Sequence, residues 1–358
     1  MDRIPRTPFP RHHGALHPRQ PLEVLRKRVQ GGCPSGNCAN TAVGSNDVND
    51  TADILFEDNW WHGPGGRYNL LVYNANRVVV RRGVIRHDAG WTDTKGDPEA
   101  GLNFYNSSDS SAQNVLVIDN DLTYQSWQGA FYSVYNSASP NATNGNSFLG
   151  DIALKSPVGG GFRLDGNGPV QATVDNMVLW DTQYAAAMGS GSCKVSVTMN
   201  HITAGRTQAG SGSGFVQYAS TYTGTISNVI IANVSQPTDG TSLTTFDAFG
   251  NGGSVAGTGG ITDSPFTNGL SYLPRIEAGS KLAGAGIGAQ VTTRIGAPGT
   301  LHGEAGWNVD TQAPLWPYPN EGRIKKEMCT DAGVTRGFCS DTSLTHYVMN
   351  VLGNGSPY

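Results

Sequence analysis

The chain has 358 residues, with glycine (48) far above average, charged residues at only 15%, and a formal net charge of −4. That length fits one large domain or two average ones, and the composition is that of many short strands joined by turns rather than of helices. No apolar run approaches the ~20 residues of a membrane span, and the overall charge gives no electrostatic footprint for nucleic acid.

In chain order, a basic lead comes first. Residues 1–30 carry seven Lys/Arg against two Asp/Glu, a balance of +5, which leaves −9 for the remainder. The composition of residues 1–50 predicts a disordered segment. It contains no apolar core of a signal peptide, and a start further upstream would account for that. Cys33 and Cys38 lie close together in "GGCPSGNC", as do Cys329 and Cys339 in "MCTDAGVTRGFC". Two local disulfides with Cys193 left over is the simplest pairing, and it suits an oxidising compartment. Neither spacing is the usual one for zinc.

From residue 51 to 299 a repeat takes over. The runs "DILFEDNWWHG" (53–63), "VVVRRGVIRHD" (78–88), "VLVIDNDLTYQ" (115–125), "ATVDNMVLWDT" (172–182), "VSVTMNHITAG" (195–205) and "GTISNVIIANV" (224–234) share one pattern. Each alternates apolar residues, turns at a short polar corner, and becomes apolar again. The corner is read at Asn59, Gly83, Asn120, Asn176, Asn200 and Asn228. Period-two alternation means strand, and a tight corner needs a left-handed residue, which Gly and Asn tolerate. A variable loop and a third strand come next: "RYNLLVYN" (67–74), "GLNFYN" (101–106), "GAFYSVYN" (129–136), "GFRLDG" (161–166), "AAAMG" (185–189), "GFVQYA" (214–219) and "TTFDAFG" (244–250). Units this short cannot bury their own apolar faces and must stack. They are too short and too even for the blades of a β-propeller.

On the repeated V-x-V-x-x-N-x-I pattern and the closing "GSKLAGAG" (279–286), the chain resembles the right-handed parallel β-helix superfamily of pectate lyases and related carbohydrate enzymes. The expected fold is all-β: a right-handed, three-sheet parallel β-helix. A loop-rich C-terminal extension (300–358) is expected to pack on the helix, pinned by Cys329–Cys339. Its "PLWPYPNEGRI" and "MCTDAGVTRGFCSDTSLTHYVMNVLGNGSP" are similar to endings of bacterial β-helix repeat proteins of undefined activity. Such helices usually begin with further strands and a cap, and little before residue 50 reads as one.

The resemblance implies a substrate cleft along the sheet of third strands, walled by the variable loops. Strand alternation then selects the outward residues. Asn103 and Tyr105 stand outside in "GLNFYN", and Arg163 and Asp165 in "GFRLDG". In "GAFYSVYN", Tyr132 or Phe131 is outside, depending on register. The loop 87–100 overhangs this sheet, and Lys155, His62, Arg67 and Tyr68 arrive at the same wall. β-Elimination on a uronic-acid polymer needs a neutralised carboxylate, a base and an acid. Asp88, Asp93, Asp97 and Glu99 form part of a Ca²⁺ ligand set. Arg163 suits a bidentate carboxylate clamp, with Asp165 beside it. His87, Lys155 or Tyr105 would move protons, while Asn103, Tyr132, Trp91 and Arg67 would contact sugar. His62 and His201 read as structural. The acidic body disfavours an unaided polyanion, an objection that a bridging cation removes.

The polygalacturonase and arginine motifs of the hydrolytic and classical lyase families are missing. Two expectations therefore stand: an extracellular, Ca²⁺-assisted lyase acting on an acidic polysaccharide, and a non-catalytic β-helix of adhesin, surface or spike type.

Overall fold

In a computed structural model the chain is a parallel β-helix. The structure describes residues 22–25, 28–30, 39–44, 51–63, 68–86, 100–119, 130–137, 143–156, 159–190, 192–207, 212–249, 257–261 and 286–352. The apolar runs pair in parallel, each with the run one coil away, into a fifteen-stranded and an eight-stranded sheet.

The larger sheet bends along its length into a first and a second face. In Pro169–Thr182, Lys194–Gly205 and Thr221–Ala232 the bend lies inside one strand, at Asn176 (φ 59°), His201 (51°) and Asn228 (54°). The register carries this corner through Asp58, Arg82, Asn114, Gly150 and Thr245, all at positive φ. The smaller sheet is the third face, containing Tyr68–Tyr73, Ala100–Tyr105, Ala130–Asn136, Gly160–Gly166, Tyr184–Met188 and Ser213–Gln217.

Four details differ from the sequence reading. Leu22–Leu25, Arg28–Gln30 and Ala39–Gly44 pair with the next coil, so the helix reaches back into the basic lead. The corner agrees at Asn176 and Asn228, falls one residue away from Asn59, Gly83 and Asn200, and comes at Asn114 rather than Asn120. Asn59 donates instead to the Val24 carbonyl at 2.6 Å, and a Cβ on Gly83 would meet the Trp61 ring at 2.8 Å. His201 is not an ordinary strand residue but the corner itself, with its side chain 39% exposed. Finally, Leu243–Phe249 joins the larger sheet, and the third-face strand of that coil is Gln236–Asp239.

Two large apolar cores result, with two small clusters beside them. One fills the tube, from Ile54 and Phe56 to Phe246. The other lies outside the second face, where Trp60, Val84, Leu116, Ile152, Val178 and Trp180 are covered by Leu315, Trp316, Met328, Phe338 and Val348 of the extension. Each such side chain removed from water contributes roughly 1.5–3 kcal/mol. The extension is thus packed on the helix, but it is partly helical, at Glu321–Lys325, Lys326–Thr330, Gly337–Ser340 and Leu344–Leu352. Among the described residues no helix is long and apolar enough to cross a membrane. The Cys329–Cys339 disulfide closes the extension with Cα atoms 5.4 Å apart. Cys193 is free and buried, and burial pushes its thiol up to about 11. Cys33 and Cys38 lie outside the described residues.

Polar clips fix the extension in register. Buried Arg81 donates to the carbonyls of Ala297 (2.8 Å), Thr300 (3.1 Å) and Trp307 (2.8 Å). The corner residue Asn114 takes both amide atoms to the backbone of Thr293 and Ile295, and Asn176 does the same to Gln290. The Asn corner therefore holds a second segment of chain as well as turning the first.

Candidate functional site

The outer side of the third face is where chain register collects most of the described candidates. Two rows run along the axis. One is Leu71, Asn103, Ser133, Arg163, Ala187 and Val216. The other is Tyr73, Tyr105, Tyr135 and Asp165. Neighbouring residues along a strand alternate sides, so Leu102, Phe104, Val134 and Leu164 enter the tube while these rows face outward. Asn103 and Tyr105 lie two rungs from Arg163 and Asp165, as alternation predicts.

The second row is an aromatic ladder. Ring centroids are 5.1 Å apart between Tyr73 and Tyr105, and 4.8 Å between Tyr105 and Tyr135, tilted by 49° and 32°. All three rings are half-buried. Rung spacing forces this contact: identical residues on successive coils stand ~4.8 Å apart, the distance at which tilted rings attract. The sequence carried the signal, because "VYN", "FYN" and "VYN" close three successive third strands at 72–74, 104–106 and 134–136.

Beside the ladder, Asn103 is 1% exposed, and its Oδ1 has no hydrogen-bond partner among the described residues. A buried acceptor without a donor costs roughly 1–3 kcal/mol. Ser133 stands on the next rung. At the ladder's end, Asn106 exchanges bonds with Ser137, its Nδ2 donating at 3.0 Å and its Oδ1 accepting from the Ser137 N–H at 2.9 Å.

Arg163 and Asp165 are on the outer side, yet both are buried and paired with each other. Asp165 also accepts from the Ser190 hydroxyl. The Tyr184 ring lies over Gly160 so closely that a Cβ there would meet it at 1.9 Å. Burial pushes the Tyr184 hydroxyl up to about 12, an effect the Arg163 guanidinium partly offsets. Arg163 is therefore engaged in a brace on this face rather than held out as an open carboxylate clamp.

Three other candidates lie elsewhere. Tyr132 points into the tube, fully buried, its hydroxyl 2.7 Å from the Val115 carbonyl and 3.0 Å from that of Ile152. Phe131 is buried in the same core. Two consecutive inward residues at the strand entrance break the alternation, so neither ring reaches the outer side. Lys155 sits at a corner of the second face (φ 60°), its Nζ 5.0 Å from the Tyr347 ring centroid, so it supports the extension rather than the third face. His62 is buried in a second-face strand, as a structural reading requires.

His87, Asp88, Trp91, Asp93, Asp97, Glu99 and Arg67 lie outside the described residues. Residues 87–99 join Arg86 to Ala100, the first residue of the third-face strand that carries Asn103 and Tyr105. Among the described residues no group of three or more His, Cys, Asp or Glu could hold a metal ion. No protein-family model, curated protein or solved structure matches the chain.

Proposed function

We propose that the chain is an extracellular, carbohydrate-contacting β-helix, with a polysaccharide lying along the outer side of the third face. The observation that carries this reading is the Tyr73–Tyr105–Tyr135 ladder, three half-buried phenols in register along the outer side. A tyrosine offers an apolar body and a polar tip, and a ladder repeats that pair once per rung, a spacing comparable to one pyranose ring. The Cys329–Cys339 disulfide supports an oxidising compartment. The repeat pattern adds the resemblance to pectate-lyase-like proteins.

The non-catalytic form of this reading has the better support, because Arg163 is engaged with Asp165 and Lys155 with Tyr347. The enzymatic form, Ca²⁺-assisted β-elimination on a uronate polymer, rests on His87, Asp88, Asp93, Asp97 and Glu99. The test is titration with a panel of uronate and neutral polymers, in Ca²⁺ and in chelator, while monitoring the ultraviolet absorbance of an unsaturated product. Binding without absorbance supports the glycan-binding module. A Ca²⁺-dependent rise supports the lyase. No binding to any polymer would remove both.

A further inference from the structure

A cleft of about 560 Å³ opens on the opposite flank of the molecule, between the corner ladder and the C-terminal segment. Asp175, Asn176 and His201 line it from the helix. Gln290, Asp310 and Gln312 line it from the segment, near the hairpin of Thr293–Ile295 with Asp310–Pro314. The corner clips explain why it exists. Asn176 ties down Gln290, Asn114 ties down Thr293 and Ile295, and the Gly288 N–H donates to the Asn228 carbonyl at 2.8 Å. At the rung between Asn176 and Asn228 the corner residue is His201, which clips no described residue of the segment.

His201 holds a left-handed conformation that Gly and Asn tolerate at lower cost. Its Nδ1 lies 2.9 Å from Asp175 Oδ1 and 2.8 Å from Asn200 Nδ2, and Nε2 makes no hydrogen bond among the described residues. Asn200 is itself oriented by Asn228, whose Nδ2 donates to Asn200 Oδ1 at 2.7 Å. Across the cleft, Asp310 accepts from Thr293 Oγ1 at 2.7 Å and from the Gln312 N–H at 2.8 Å.

We propose that this cleft is a second binding site, selective for a short uncharged oligosaccharide. Three features set the ligand class. Its volume lies within the range of small-ligand pockets. Its walls converge amides, hydroxyls and carboxylates, groups that pair with sugar hydroxyls in both directions. None of its described lining residues is Lys or Arg, while carboxylates stand on both walls, so uronates and phosphates are repelled. Neutral sugar is thereby assigned to the cleft. This inference does not depend on the third-face reading.

The experiment is calorimetric titration of the whole protein with neutral tri- and tetrasaccharides and with uronate oligomers of equal length. Neutral oligomers are expected to bind and uronates to bind at least tenfold more weakly. His201→Asn restores the residue found on neighbouring rungs, so it keeps the fold and its melting temperature while weakening binding roughly tenfold. Asp310→Asn should weaken it similarly, and Tyr105→Ala should leave it unchanged. The proposal is overturned if no neutral oligomer binds, if uronates bind as well as neutral sugars, or if His201→Asn and Asp310→Asn both bind like the unaltered protein. Loss of binding in Tyr105→Ala alone would assign the sugar to the third face and equally overturn it.

Discussion

The outer sides of the second and third faces share one backbone and one rung spacing, yet they meet different fates. Outside the second face stand Trp60, Val84, Leu116, Ile152, Val178 and Trp180, covered by apolar side chains between Leu315 and Leu352 of the extension. Outside the third face stand Tyr73, Tyr105, Tyr135, Asn103 and Ser133. The difference resides in side chains alone. A continuous apolar stripe obliges the protein to bring its own cover, whereas a stripe of phenols, amides and hydroxyls can meet a polar ligand.

The largest expected effect breaks the covered side. Trp60 is fully buried, its Nε1 donates to Glu327 at 2.8 Å, and the Arg323 guanidinium lies 4.8 Å from its ring centroid. Trp60→Ala should cost about 4 kcal/mol in chemical denaturation. Next, Cys339→Ser opens a short loop within the cover and should cost about 2 kcal/mol, again read by denaturation.

A third effect concerns the tube between the two faces. Asp151 shares a rung with Met177 inside the core; it accepts from the Val115 N–H at 2.7 Å, and its Oδ2 has no partner among the described residues. Burial raises its carboxyl well above the usual 3.8, and the bonds from Val115 and Leu149 only partly oppose this. The folded state therefore keeps a proton that the unfolded state has released. Stability falls as pH rises from about 4 toward the raised folded value. Asp151→Asn does not titrate. Its melting temperature should match the unaltered protein below pH ~4 and exceed it at neutral pH. An equal change at every pH would contradict the assignment.

The last effect belongs to the third face. Tyr105→Ala removes two ring contacts, each about 1 kcal/mol beyond simple burial, yet it should lower affinity for a bound polymer about tenfold.

Much of this fold was legible because the period-two pattern is written into every coil. "ATVDNMVLWDT" and "GTISNVIIANV" placed their corners at Asn176 and Asn228, where the preference for a left-handed residue and the pairing register agree. The corner slipped where they disagree. Arg82 and His201 are less favoured there than Gly or Asn and are held by neighbouring rungs, while Gly83 and Asn200 one position away attracted the assignment. At the site, alternation placed Asn103, Tyr105, Arg163 and Asp165 on the outer side but could not see that Arg163 and Asp165 would be buried together. Tyr132 was misread because Phe131 and Tyr132 both turn inward at the strand entrance. The cleft beside His201 was invisible, since it depends on residues such as Asp175 and Asp310 that lie far apart in the chain.

The most direct test of the central claim is hydrogen exchange across the whole chain, with and without a polysaccharide that binds. The account predicts added protection in the third-face strands Ala100–Tyr105 and Ala130–Asn136, with the second-face strands and the extension unchanged. Protection confined to the extension or the second face, with the tyrosine strands exchanging as before, would contradict it.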